Sequence, residues 1–208
     1  MPAPTGKDGA MLIVVRHGRT DANAAGLLQG HLDRPLDVYG RAQAAAAGPV
    51  LAGVDRIVVS PLLRARETAE QIALASGAEV EVDERWIELD YGDYDGQSLR
   101  DVPATIWQRW RSDPDFVPPG GESISQMAER VAAGADALAA EAVDHDIAVV
   151  THVGPIKSAV AWALGVGPET FWRTHVATAS IHRIDIGPRG PVLHSFNETG
   201  HVPPAPLV

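Results

Sequence analysis

At 208 residues, 45% of them hydrophobic, the chain is long enough to bury one full core and too short for several large domains. Its formal net charge of −10 argues against nucleic acid and anionic membrane surfaces as partners, and no apolar run approaches the ~18 residues of a membrane span. Cysteine is absent, which excludes disulfides, thiolate nucleophiles and thiolate metal sites. Met1 to Ala10 are small and polar, without the apolar stretch of a secretory signal, so a cytoplasmic protein with a loose tail at 1–10 is expected.

Met11 to Val15 is a continuously apolar run that reads as a buried strand, with Arg16-His17-Gly18 at its carboxyl end. Asp37 is placed to cap a helix through Gln43 to about Leu51, with Gly53 as its stop. Asp55 to Val59 is a second strand. Ser60-Pro61 then suggests a serine N-cap with proline at the first helical position, and a helix to about Ala75. Val80 to Val82 is a short strand. From Arg85 to Gly121 four prolines interrupt the pattern, with a short helix over Pro103 to Arg111, and this stretch reads as an insertion over one end of the sheet. Ser123 and Gln126 form a capping-box start for a helix whose apolar face is Ile124, Met127, Val131, Ala135 and Leu138. Ile147 to Val150 is a strand, Gly154 to Leu164 a helix, and Ser180–Asp185 and Val192–Ser195 two final strands before a Pro-rich tail at 203–208. Strands alternating with helices predict an α/β fold, a three-layer sandwich with a mostly parallel central sheet flanked by helices. It forms one domain over 1–208, capped at about 85–121.

In open α/β sheets ligands bind beyond the carboxyl ends of the strands. Three polar groups fall at such ends: Arg16-His17-Gly18, Ser60 to Arg64, and Thr151-His152. Two histidines, two arginines and helix N-termini together suit a tetrahedral dianion, because guanidinium forks match phosphate oxygens and free backbone N–H groups attract anions. Arg64 in a first helical turn opposes the helix dipole unless an anion lies near; the rival reading is a surface arginine paired with Glu67. The other histidines (31, 145, 175, 182, 194 and 201) show no ligand spacing, so neither a metal nor another cofactor is expected.

At this point the sequence resembles a known family. Arg16-His17-Gly18-Arg19-Thr20 with Asn23, Gln29-Gly30, Asp33 to Leu36 and Gly40 to Gln43 resemble the first segments of the histidine phosphatase (phosphoglycerate-mutase-like) superfamily. Ser60 to Ala69 resembles its S-x-L-x-R-A-x-x-T-A motif, Glu88 to Gly96 its acidic loop, and Gly120 to Ser123 and Thr151 to Gly154 its last two motifs. The resemblance implies a phosphatase that acts on a small phosphorylated substrate. It implies that His17 becomes phosphohistidine, that Arg16, Arg64 and His152 hold the phosphoryl oxygens with Asn23 assisting, and that Glu88 is the general acid and then base. Gln29, Gly30 and Val153 would be further substrate contacts. Asp90, Asp93 and Asp95 compete with Glu88 for the acid's role.

Two features depart from the common pattern. Val153 intervenes before Gly154-Pro155, and Lys157 stands where arginine is frequent; the run from His152 to Lys157 resembles the branch of actinobacterial phosphatases related to α-ribazole phosphatase. A cofactor-dependent phosphoglycerate mutase is the alternative from the same family, although its first motif usually continues E-S-x-W-N where this chain has Arg19-Thr20-Asp21-Ala22-Asn23. A catalytically silent scaffold is the alternative of another class; such relatives normally lack a core residue that this chain keeps. Leaving-group recognition is expected from 85–121 and from residues near His31 and Arg34.

Overall fold

The computed structural model describes residues 10–205. Its centre is a six-stranded sheet in the order β3-β2-β4-β1-β5-β6. These are β1 (Met11–Arg16), β2 (Arg56–Val59), β3 (Glu79–Val82), β4 (Ile147–Thr151), β5 (Ile181–Gly187) and β6 (Gly190–Glu198). The pairs β1–β4, β4–β2 and β2–β3 are parallel, and β5 joins β1 and β6 antiparallel. The two last strands run longer than their apolar cores suggested.

Strand periodicity divides the core into two layers. Leu12, Val14, Ile147 and Val149 face one side, where they meet α5 (Ile124–Ala139) and α6 (Val153–Leu164). Ile13, Val15, Ile57, Val59, Ala148 and Val150 face the other and pack on α3 (Leu63–Ser76), which in turn packs on α2 (Val38–Val50). The result is the helix–sheet–helix sandwich expected. A third cluster of Leu28, Val102, Trp110 and Phe116 gives α4 (Ala104–Ser112) and its flanking loops a small core of their own.

Local side-chain caps explain three of the six α-helix starts among the described residues. The Asp37 side chain accepts from the Gly40 N–H, and Ser123 and Gln126 form the reciprocal capping box. A five-residue helix, α1 (Asp21–Ala25), is capped by Thr20 with Asn23 in the same way and lacked an apolar period to reveal it. One start differs from expectation. Ser60-Pro61 does not open α3; the helix begins at Leu63, and Leu62 at the cap position offers no side-chain bond. The cap comes from a distance instead, since the Leu63 N–H donates to Asp33 Oδ1 at 2.6 Å. The Ser60 hydroxyl stays outside the helix, where it accepts from the Leu62 N–H at 3.4 Å and meets His152. The helix over 38–50 ends where expected, with Leu51 at its C-cap.

The expected tails at 1–10 and 203–208 fall mostly outside the described residues. Within them, Ala10 is buried and the Tyr39 hydroxyl donates to the Pro203 carbonyl at 2.6 Å. No helix among the described residues is long and apolar enough to cross a membrane.

Candidate active site

Sheet register assembles the site. Arg16 pairs with Thr151 across β1–β4, so His17 and His152, each one residue further, emerge side by side with ring centroids 5.1 Å apart. The bond from His17 N–H to the Thr151 carbonyl at 2.9 Å fixes that relation, and the bond from Ser60 N–H to the Val150 carbonyl brings the end of β2 alongside. Gly18 is needed because its chain runs against the Gly40 carbonyl, where a Cβ would have no room.

His17 is buried, and its Nδ1 lies 2.7 Å from the Gly18 carbonyl, a contact that requires the proton on Nδ1. Nε2 is then the unprotonated nitrogen. Burial, and next the charges of Arg64 and Arg16, push the His17 pKa well below its usual 6.5, so the ring is neutral near pH 7.

Arg64 is fully buried, which rules out the surface pairing with Glu67; that carboxylate accepts from the Leu36 N–H instead. The Arg64 fork is clamped by the Leu32 carbonyl at 2.7 Å, the Gly30 carbonyl at 2.8 Å and His152 Nδ1 at 3.2 Å. Arg16 donates through Nη1 to the Val176 carbonyl at 2.8 Å, while its buried Nε has no partner. Burial lowers the Arg16 pKa to about 10, so it stays a cation at neutral pH.

His152 has both ring nitrogens engaged. Nε2 donates to Ser60 Oγ at 2.6 Å and Nδ1 accepts from Arg64, which describes a neutral ring. Burial, then Arg64 and His17, depress its pKa in agreement. Its imidazole stands behind the cavity rather than on its wall.

Glu88 Oε1 accepts from the Leu89 N–H at 2.8 Å and from the Gly154 N–H, in the first turn of α6, at 3.0 Å. A Cβ at 154 would overlap Glu88 Oε1 and Met127 Sδ, so any other residue there must displace one or both. The departure at Val153 therefore leaves intact the position that the acid needs.

All of these groups except His152 border one cavity of about 250 Å³. Arg16, His17, Asn23, Gln29, Gly30, Arg64, Glu88 and Val153 line it, as expected from the sequence. Gln29 and Asn23 are tied to Thr20, whose hydroxyl donates to Gln29 Oε1 at 2.9 Å. The wall opposite is apolar and aromatic: Leu27, Leu28, Tyr91, Leu99, Trp107, Phe171 and Trp172, with Lys157. Phe171 and Trp172, on a 3-10 turn at Pro168–Arg173, were missed by sequence reading, although Gly167-Pro168 followed by an aromatic pair was a usable signal. His31 and Arg34 do not reach the cavity. His31 Nε2 donates to the Glu88 carbonyl at 2.9 Å, and Arg34 pairs with Asp21 at the surface. Asp90 and Asp95 are turned away from the cavity as well, toward the Gly92 and His31 N–H groups. A larger hollow lies at the opposite strand ends, but Asp55, Glu79, Glu81 and Glu141 make it repellent to phosphate. No cluster of three or more potential metal ligands occurs among the described residues.

An α/β sandwich with two neutral histidines, two buried guanidinium groups and one carboxylate at its strand ends defines a site for transfer of an anionic tetrahedral group. The chain belongs to the histidine phosphatase superfamily (branch 1), whose model matches residues 12–199. It is 31% identical over 210 residues to the bifunctional protein Rv2228c of Mycobacterium tuberculosis, with 97% of this chain and 58% of that protein covered. The chain thus spans little more than half of that relative. Phosphoserine phosphatase 1 of Hydrogenobacter thermophilus is 32% identical, covering 92% of this chain and 93% of its own. Among solved structures, mycobacterial glucosyl-3-phosphoglycerate phosphatase complexed with VO3 superposes with a TM-score of 0.81 at 32% identity, over 90% of this chain and 98% of that one.

Proposed function

We propose that this protein is a phosphatase that hydrolyses phosphomonoesters of small metabolites through a phosphohistidine at His17. The observation that carries the reading is the neutral His17 ring, held as a donor to Gly18 so that Nε2 keeps its lone pair beside two guanidinium groups. In the first step Nε2 attacks phosphorus and the ester P–O bond breaks. The departing oxygen takes a proton from Glu88, and Arg16 and Arg64 neutralise the equatorial oxygens. In the second step the Glu88 carboxylate takes a proton from water, whose oxygen attacks phosphorus and releases His17 and phosphate. Asn23 supports the phosphoryl oxygens from the cavity wall. His152 holds Arg64 through Nδ1, which accepts from the guanidinium; a direct bond from that nitrogen to the phosphoryl group needs a proton taken up in exchange for the Arg64 contact. The two cations supply the charge neutralisation that a metal gives in other phosphatases, and chelators leave activity intact on this reading.

The presence of phosphoserine and glucosyl-3-phosphoglycerate phosphatases among the relatives supports hydrolysis over the mutase and scaffold alternatives. The test is rapid quenching after mixing with p-nitrophenyl phosphate. An acid-labile, base-stable phosphoryl group on His17, absent in His17→Ala, is the expected result. Phosphate on a serine, or normal turnover by His17→Ala, removes the mechanism.

A further inference from the structure

One pair of charged residues stands beside the proposed acid without lining the cavity. Gly120 to Ser123, a stretch that phosphoryl transfer leaves unused, runs against the chain that carries Glu88. The Glu122 N–H donates to the Asp90 carbonyl at 3.0 Å, and Glu122 Oε1 accepts from the Asp90 N–H at 3.2 Å. Gly121 allows that approach, since a Cβ there would lie 2.4 Å from the same carbonyl. The Glu122 carboxylate then pairs with Arg130 on α5.

All five N–H donors of Arg130 are engaged, and they fall into two sets. Nε and Nη2 hold the Glu122 carboxylate. Nη1 donates to the carbonyls of Arg85 at 2.8 Å and Ile87 at 2.7 Å, and Nη2 to that of Glu88 at 3.1 Å. The last bond bears on the acid itself. The peptide unit whose carbonyl meets Arg130 is the one whose N–H, on Leu89, donates to Glu88 Oε1 at 2.8 Å. Because the peptide is planar, fixing its oxygen fixes the direction of its N–H. A cation at that oxygen also polarises the N–H toward the carboxylate. The same helix supports the acid's other donor: Met127, one turn before Arg130, packs against Gly154, whose N–H also meets Oε1. His31 Nε2 is a second donor to the Glu88 carbonyl at 2.9 Å, so loss of Arg130 should loosen this peptide rather than free it.

We infer that Arg130, held by Glu122, is a positioning residue for the general acid: it sets the peptide that aims the Glu88 carboxyl group at the departing oxygen. A partly exposed ion pair adds little net stability, and what this one provides is orientation. Glu88 is that acid only on the phosphatase reading above, on which this inference rests.

The experiment follows single-turnover formation of phosphohistidine from p-nitrophenyl phosphate and from phenyl phosphate. The two probes differ little in shape near phosphorus, but phenolate is the more basic leaving group and needs the proton more. In Glu88→Gln the rate ratio of the first probe to the second should rise. In Arg130→Ala it should rise by at least about tenfold, with p-nitrophenyl phosphate itself reacting nearly as in the native protein. The double variant should show no larger ratio than Glu88→Gln alone, because Arg130 acts only through that carboxyl group. Glu122→Gln keeps an acceptor for the Asp90 N–H and should give the same rise in weaker form; it decides the matter if Arg130→Ala does not fold. Arg56→Gln breaks a comparable set of ion pairs, with Glu81 and Glu141 at the opposite strand ends, and should leave the ratio unchanged. An unchanged ratio in Arg130→Ala overturns the inference, as do equal losses on both probes, which would mark a structural prop. A double variant with a ratio above that of Glu88→Gln also overturns it, and so does a rise in Arg56→Gln. If Glu88→Gln raises the ratio and Arg130→Ala does not, only this inference fails; if phosphohistidine never forms, the phosphatase reading fails.

Discussion

Single positions decide whether the proposed acid and clamp can work. Gly154 offers its N–H to Glu88 and leaves space that any side chain would fill, so Gly154→Ala should push the carboxyl out of register without touching its chemistry. An alkyl phosphate departs as a strongly basic alkoxide and needs a proton, whereas p-nitrophenolate barely does. General acids contribute roughly 10²–10⁴-fold to steps that require them. Glu88→Gln is therefore expected to cripple single-turnover alkyl phosphate cleavage while sparing phosphoenzyme formation from p-nitrophenyl phosphate, and Gly154→Ala should reproduce that selectivity in weaker form. If Asp93→Asn shows the leaving-group dependence and Glu88→Gln does not, the acid is misassigned. Arg64 makes a second case. Arg64→Ala should lower kcat by roughly 10²–10³, the usual cost of one preorganised stabilising donor, while the exposed Arg66, two positions along α3, should matter little when replaced by alanine. Similar losses in both variants would mean that Arg64 acts through helix packing.

At the scale of elements, what could be read from sequence was what local chemistry determines. β1, β2 and β4 showed themselves as short, continuous apolar runs, and the polar residues at their ends, Arg16-His17, Ser60 and Thr151-His152, mark the candidate site. The start of α3 was misplaced because its cap, Asp33, lies thirty residues upstream and forms no local motif. Arg64 could not be distinguished from a surface arginine, since its partners are the carbonyls of Gly30 and Leu32 and the ring of His152, all distant in sequence. The aromatic wall was hidden for a similar reason, because Trp107 and Trp172 meet only after α4 folds back over the cavity. That cap has its own core, and Trp110 is its centre, packed edge-on to Tyr91, Tyr94 and Phe116. Trp110→Ala should remove about 3–5 kcal/mol from the cap. Because few contacts join that cluster to the sheet, hydrogen exchange is expected to accelerate over 99–118 and KM to rise, with β1 and β4 still protected. Uniform loss of protection through the sheet would show that cap and core unfold as one unit.

Across the whole molecule, the buried imidazoles set the acid stability. His17, His152 and His182 are all buried, and each has a pKa below the usual 6.5, that of His182 at about 4, with burial the leading cause in every case. On unfolding each returns to its ordinary value, so below pH 6.5 the unfolded chain binds more protons than the folded one. Stability from these groups is complete above pH 6.5 and is lost as pH falls toward their folded values, at about 1.4 kcal/mol per pH unit for each histidine. Asp95 works in the opposite sense, since burial raises its pKa and its native form takes up a proton earlier than the unfolded chain does. The Asp83 carboxyl, held down by Arg85, begins to matter only near its ordinary 3.8. Between pH 7.5 and 5.5 the histidines therefore dominate. Urea unfolding should give a free energy that is nearly flat down to about pH 6.5 and then falls steeply, with a limiting slope of up to three protons. For a domain with roughly 5–15 kcal/mol in total, acid unfolding would then begin well above the titration range of ordinary carboxylates. His182 permits a check that leaves the phosphoryl site alone, because its ring bonds only to Ser180 Oγ and the Asn197 N–H. His182→Asn should reduce the slope by close to one proton per molecule, whatever it does to stability at pH 7.5. A free energy that stays level or rises from pH 7.5 to 5.5 would mean that these imidazoles are protonated in the folded protein, and His17 would then lack the lone pair its proposed attack requires.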